Sequence, residues 1–162
     1  VAYIVIASDS EAVREEVKSV LDPDEDEVEE VAVGARVVPV VREDPPDLVV
    51  TDFQIGSMGA VAICLDLRLE ESGGRIPHVP VLMLLDRRAD VFLWRRSGAE
   101  GYVVKPLDAF RLRRAIRAVL AGQRFEDPTY RPEPVLVPPE TAATSPLRLT
   151  RPEAAPSTSS PP

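Results

Sequence analysis

The chain is short of the residues that build metal centres and cross-links. Its 162 residues include one cysteine, Cys64, and one histidine, His78. A lone cysteine excludes an internal disulfide and a CxxC zinc site. A lone histidine excludes a multi-histidine metal centre. No apolar run approaches the roughly 20 residues of a membrane span. No charged-then-apolar leader precedes a cleavage site, so no secretion signal is expected, and a cytoplasmic protein is the default reading. The first residue is Val1, so the initiator methionine is missing or the true start lies upstream.

Basic charge is also scarce. The chain holds 19 Lys+Arg against 27 Asp+Glu, a formal charge of −8. Residues 1–121 carry net −7 of this, which argues against a general nucleic-acid binder. Proline is plentiful for a chain of this length, at 17, with 10 of them in 122–162. That last segment, about one-quarter proline, cannot bury enough apolar surface to offset chain entropy. The expectation is a folded domain over 1–121 and a disordered Pro-rich tail over 122–162.

Within 1–121, short β-branched runs alternate with helical patterns. Strands are expected over 1–7, near 28–33, and over 48–51, 79–85 and 101–104. Helices are expected over 11–21, 60–70, 87–97 and 109–121, the first capped by Ser10. Residues 35–43 are read as a short irregular helix, because Pro39 would interrupt a central ladder. Five buried strands alternating with helices predict an α/β fold with a parallel sheet covered on both faces. Ligands gather at the carboxyl ends of such strands. Asp9, Asp52, Leu85-Asp86 and Lys105 all fall there.

Two carboxylates held close repel unless a cation lies between them. Oxygen-only ligands suit Mg²⁺, which Asp9, Asp52 and the Gln54 carbonyl are expected to supply. Asp52 then suits an oxygen nucleophile toward a phosphoryl group, with Lys105 neutralising the phosphoryl oxygens. Singly, each residue is better read as a cap or a surface charge. Together, at three strand ends, they favour the functional reading.

These residues resemble a response-regulator receiver domain, and the resemblance covers about residues 1–121. Leu48-Val-Val-Thr-Asp52 resembles the phosphoacceptor strand. Gly98-Ala-Glu-Gly-Tyr-Val-Val-Lys-Pro106 resembles the family's most distinctive segment, with Tyr102 as the switch aromatic. Ser8-Asp9-Ser10 resembles the acidic site after the first strand. The resemblance implies a flavodoxin-like fold with strand order 2-1-3-4-5. It also implies phosphoryl transfer to Asp52 from a histidine kinase or a histidine phosphotransfer protein, with self-catalysed phosphotransfer and dephosphorylation as the only catalysis.

The departures from that pattern are specific. Ser8 replaces one of two acids, which lowers the expected Mg²⁺ affinity. Gly56 stands for the usual proline and Ala60 for the usual glycine, so a more mobile loop is expected. Leu85 stands where the family carries a Thr or Ser, so the usual hydroxyl coupling to Tyr102 cannot operate. Asp86 replaces a small residue. It either opposes phosphorylation by its charge or caps the next helix, and Asp86-Arg-Arg-Ala-Asp favours the cap.

The resemblance places a partner or homodimer face on the fourth helix, fifth strand and fifth helix. Arg114 and Arg117 lie on it, and Asp90, Glu100 and Asp108 are candidates to pair across a dimer. For most of its arginines a solvated face is the simpler reading. Trp94 and Phe110 are either core or interface residues. Cys64 and His78, without evident partners, are read as structural. No helix-turn-helix or basic block follows residue 121, so no output domain is expected, and Pro134–Pro139 is at most a short docking segment. The leading reading is an atypical, stand-alone receiver acting through protein contacts. The alternatives are a pseudo-receiver that ignores phosphate and a haloacid-dehalogenase-type phosphotransferase. The last needs an acid where Gln54 stands.

Overall fold

The computed structural model describes residues 1–130. Its strands are β1 Ala2–Ala7, β2 Asp26–Val31, β3 Leu48–Asp52, β4 Val81–Leu85, β5 Gly101–Val104 and β6 Phe125–Glu126. Its α-helices are α1 Glu11–Lys18, α2 Val37–Glu43, α3 Ala60–Ser72, α4 Val91–Ser97 and α5 Ala109–Leu120. The strands form one sheet in the order β2-β1-β3-β4-β5-β6, every pair parallel. The expected 2-1-3-4-5 order is present, with β6 added outside β5.

Strand alternation sorts the core into two layers. Val5, Ala7, Val49, Met83, Leu85, Tyr102 and Val104 face α2, α3 and α4, where they meet Val41, Ile63, Leu67 and Trp94. Ile4, Ile6, Val50, Leu82, Leu84 and Val103 face α1 and α5, where they meet Val17, Leu112, Ile116 and Val119. Both faces of the central strands are therefore apolar, as a sheet covered by helices requires.

Local chemistry fixes the helix ends. The Ser10 side chain accepts from the Val13 N–H at the start of α1, and Asp108 accepts from Arg111 N–H at 2.8 Å at the start of α5. Gly98 ends α4 at φ 78°, a left-handed cap that suits glycine. Pro39 is the third residue of α2. It lies in the first turn, where N–H groups have no intrahelical partner, so its missing donor costs little.

Order continues past residue 121. β6 pairs with β5 through Gly101↔Phe125 and Tyr102↔Glu126, and a 3-10 turn over Pro128–Tyr130 follows. Phe125 and Glu126 of the expected tail thus join the sheet, and Asp127 after them is buried. The rest of that tail, including the segment 134–139, lies outside the described residues. Among the described residues no helix is long and apolar enough to cross a membrane.

Candidate functional site

Asp52 ends β3 and is 5% exposed. Its two oxygens have different partners. Oδ1 accepts from Lys105 Nζ at 2.6 Å, and Oδ2 accepts from Ser8 Oγ at 2.9 Å. Ser8, the residue after β1, is fully buried, and its Oγ also accepts from the Ser10 N–H at 3.1 Å. A neutral donor therefore stands against the carboxylate where a second acid was the family expectation.

Lys105 follows β5. Its Nζ lies between Asp52 and Asp86, with Asp86 Oδ1 at 3.0 Å. Burial pushes the ammonium's pKa down, but hydrogen bonds and charge from Asp52 and Asp86 outweigh it and hold the pKa above the ordinary lysine value. Asp86 does not cap α4. Asp90 instead accepts from the Arg87 N–H at 3.0 Å, capping the 3-10 turn Arg88–Asp90 that precedes α4, and Asp86 is exposed at the site edge. The sequence-level preference for a cap is overturned: Asp90, three residues on from Arg87, reaches the free N–H from inside the helix turn.

Asp9 is exposed, and its Oδ2 accepts from the Gly56 N–H at 3.2 Å. That bond ties the loop after β3 to the loop after β1. The same loop is anchored by Gly34 N–H to Gly56 O at 3.0 Å and by Ala35 N–H to Ser57 Oγ at 3.3 Å. Gln54 is exposed in the turn following Asp52. The donor atoms of Asp9, Asp52 and the Gln54 carbonyl are all oxygens, two of the groups being carboxylates, the chemistry that suits a hard cation such as Mg²⁺. Among the described residues no group of three or more His, Cys, Asp or Glu is arranged to hold a metal ion.

Leu85 and Tyr102 are both fully buried. Leu85 belongs to the core layer under α4, and its carbonyl accepts from the Lys105 N–H at 2.8 Å. The Tyr102 ring stacks edge-on against Trp94 at 4.6 Å between centroids. Trp94 is thereby a core residue, whereas Phe110 is 71% exposed.

The expected dimer face is changed in several places. β6 occupies the outer edge of β5. Arg117 reaches away to Asp26, the first residue of β2, at 2.8 Å. Asp90 and Asp108 serve as helix-end acceptors, and Glu100 pairs with Arg68 at 2.9 Å. Arg114 stays exposed, its guanidinium 5.8 Å from the Phe110 ring. His78 does have partners: Glu71 at 3.0 Å and Glu100 at 2.9 Å. Cys64 is buried, and desolvation pushes its thiol up to about 11, which makes it a poor nucleophile.

A carboxylate at the end of β3 is thus paired to a lysine after β5, across the end of β4. The family model for the response regulator receiver domain matches residues 4–117. The chain belongs to this family. It is 32% identical over 120 residues to the transcriptional regulatory protein CseB of Streptomyces coelicolor, covering 73% of this chain and 49% of CseB. It is 29% identical to the chemotaxis protein CheY-3 of Vibrio cholerae, covering 68% of this chain and 85% of CheY-3. Among solved structures, the receiver domain of NarL from Mycobacterium tuberculosis superposes with a TM-score of 0.66 at 22% identity, covering 75% of this chain and 98% of that one. The chain spans about half the length of CseB. Receiver domains are regulatory phosphoacceptor domains of two-component systems and generally not enzymes.

Sequence reasoning missed two site-flanking residues, Arg111 and Asp127. Asp127 is fully buried and accepts from the Val104 N–H at 3.0 Å. The Asp127-Pro128 pair, a common turn opening, was the available signal.

Proposed function

We propose that this chain is an atypical response-regulator receiver that accepts a phosphoryl group on Asp52 and signals through protein contacts. The observation that carries the reading is the Lys105 Nζ to Asp52 Oδ1 contact at 2.6 Å. Asp52 is 5% exposed, and a buried carboxylate is held where a cation and hydrogen bonds pair with it. In the reaction a carboxylate oxygen of Asp52 forms a bond to phosphorus as the P–N bond to a donor phosphohistidine breaks. The departing imidazole nitrogen keeps the electron pair. Lys105 is placed to exchange the Asp52 oxygen for a phosphoryl oxygen and to offset its charge.

Mg²⁺ held by Asp9, Asp52 and the Gln54 carbonyl would neutralise further phosphoryl charge. Asp9 keeps its loop in reach of that position through Gly56 N–H. Leu85 supplies no donor at the site, so the acyl phosphate would be held by fewer groups than is usual in the family.

A histidine kinase or phosphotransfer protein as donor, a downstream protein target and a cytoplasmic setting complete the proposal. A homodimer over the fourth helix, fifth strand and fifth helix would have to form with β6 in place.

A second reading, the phosphate-independent module, is favoured by the Asp86–Lys105 pair at 3.0 Å. That pair satisfies the lysine without any phosphate. Beryllofluoride binding separates the two: the phosphoacceptor reading requires Asp52-dependent binding in Mg²⁺, and the module reading requires none.

A further inference from the structure

The segment after α5 returns to the sheet and reaches the main chain at Val104, beside Lys105. Arg124 lies over the Trp94 ring at 5.3 Å. Phe125 and Glu126 then pair with Gly101 and Tyr102. The approach is close: a Cβ on Gly101 would meet the Phe125 carbonyl oxygen at 3.0 Å. Asp127 comes next, with no exposed surface.

A buried carboxylate persists only where its charge and lone pairs are met. Asp127 Oδ2 accepts from the Val104 N–H at 3.0 Å, Oδ1 accepts from the Thr129 N–H at 3.0 Å, and Arg111 Nε pairs with Oδ2 at 3.2 Å. Arg111 in turn donates to the carbonyls of Val104 at 3.3 Å and Pro106 at 2.8 Å. These two residues flank Lys105. The Lys105 N–H itself is fixed to Leu85 O. The backbone carrying the lysine is thus held from β4 on one side and from the 124–130 segment on the other.

We propose that Asp127 and Arg111 are positioning residues for Lys105, and that through them the 124–130 segment is coupled to the state of the Asp52 site. The proposal rests on the phosphoacceptor reading for its signalling role. Lys105 must shift its ammonium from Asp52 toward a phosphoryl group. The backbone that sets its reach is shared with the β6 segment, so the site and the segment bias one another by the same free energy. The familiar route from the end of β4 to Tyr102 lacks its hydroxyl at Leu85. The β6 segment offers a different route, and one that leads directly into the rest of the chain.

The test uses the full chain. Amide hydrogen exchange is followed over 101–106 and 122–130, and Asp52 phosphorylation by acetyl phosphate in Mg²⁺ is followed by intact mass. Asp127→Asn should speed exchange in both segments and slow phosphorylation, each by a factor on the order of ten. Lys105→Met should also speed exchange in 122–130, although the Lys105 ammonium bonds to Asp52 and Asp86. Arg111→Lys keeps the charge but loses the fork, and it replaces Asp127→Asn if circular dichroism shows that variant unfolded. Faster exchange in 122–130 with an unchanged phosphorylation rate would overturn the positioning role. If the wild type accepts no phosphate, the phosphoacceptor reading fails, and the Lys105→Met exchange decides the coupling alone: unchanged exchange overturns it.

Discussion

Asp86 Oδ1 lies 3.0 Å from Lys105 Nζ, so the lysine that faces Asp52 is shared with a second carboxylate. Both acids compete for one ammonium, and any phosphoryl group must compete with Asp86 for it. Asp86→Asn removes the competing charge. The Asp86 side chain is one-third exposed, so the effect is that of a partly screened pair. Phosphorylation of Asp52 by acetyl phosphate should quicken by roughly two- to tenfold, as expected for up to about 1.4 kcal/mol. Quenched-flow sampling with intact mass checks this, and a slower variant would refute the competition.

Ser8 donates to Asp52 Oδ2 at 2.9 Å where an acid is usual in the family. Ser8→Asp exchanges this donor for a carboxylate beside Asp9 and Asp52. Mg²⁺ affinity, measured by titration calorimetry, should rise by about tenfold or more. In the absence of Mg²⁺ the same variant should be less stable than wild type, because two carboxylates then face each other in a buried site. An unchanged affinity would show that the cation does not bind beside residue 8.

Much of this geometry is legible from sequence, for physical reasons that differ by residue. Asp9, Asp52 and Lys105 follow apolar runs too short for buried helices, so their place at the strand ends is dictated by period and length. Ser10 announces itself as a cap by standing just before a helical pattern, whereas Asp108, read as a partner across a dimer, caps α5 instead. Asp86 is misread because only three-dimensional reach decides that Asp90 takes the Arg87 N–H at the turn before α4 while Asp86 turns to Lys105. Asp127 is misread because segment composition averages over its neighbours. The prolines after it make the whole stretch look unable to fold, while one buried carboxylate and two β-sheet residues suffice to dock its beginning. Arg117 lies on the expected dimer face by helix number alone, but its turn of α5 faces Asp26.

Glu70 joins α2 to α3, accepting from Arg42 Nε at 2.6 Å and Arg75 Nε at 2.9 Å. These hydrogen bonds, from Arg42 first and Arg75 second, hold its carboxyl at about 2. A depressed folded-state pKa gives stability that is present above the unfolded value, about 4.3, and is lost as pH falls toward 2. Glu70→Gln should therefore be less stable than wild type at pH 7, and the gap should close between about pH 4.5 and 2. Urea midpoints across that range check it; a gap independent of pH would contradict the assignment.

Arg114 and Arg117 should behave differently. Arg114→Glu alters an exposed charge and should leave stability within about 0.5 kcal/mol. Arg117→Glu sets an acid against the buried Asp26 and should cost about 1–3 kcal/mol. If the chain self-associates through α4 and α5, Arg114→Glu should weaken that association in sedimentation velocity without changing the melting temperature. Equal destabilisation by both variants would refute the Arg117–Asp26 pairing.

The central claim is that Asp52 accepts a phosphoryl group, and intact mass after incubation with Mg²⁺ and acetyl phosphate tests it most directly. The account predicts a gain of one phosphoryl group that is absent in Asp52→Ala. A wild-type mass that never shifts, with acetyl phosphate or with a phosphorylated histidine kinase as donor, would contradict it.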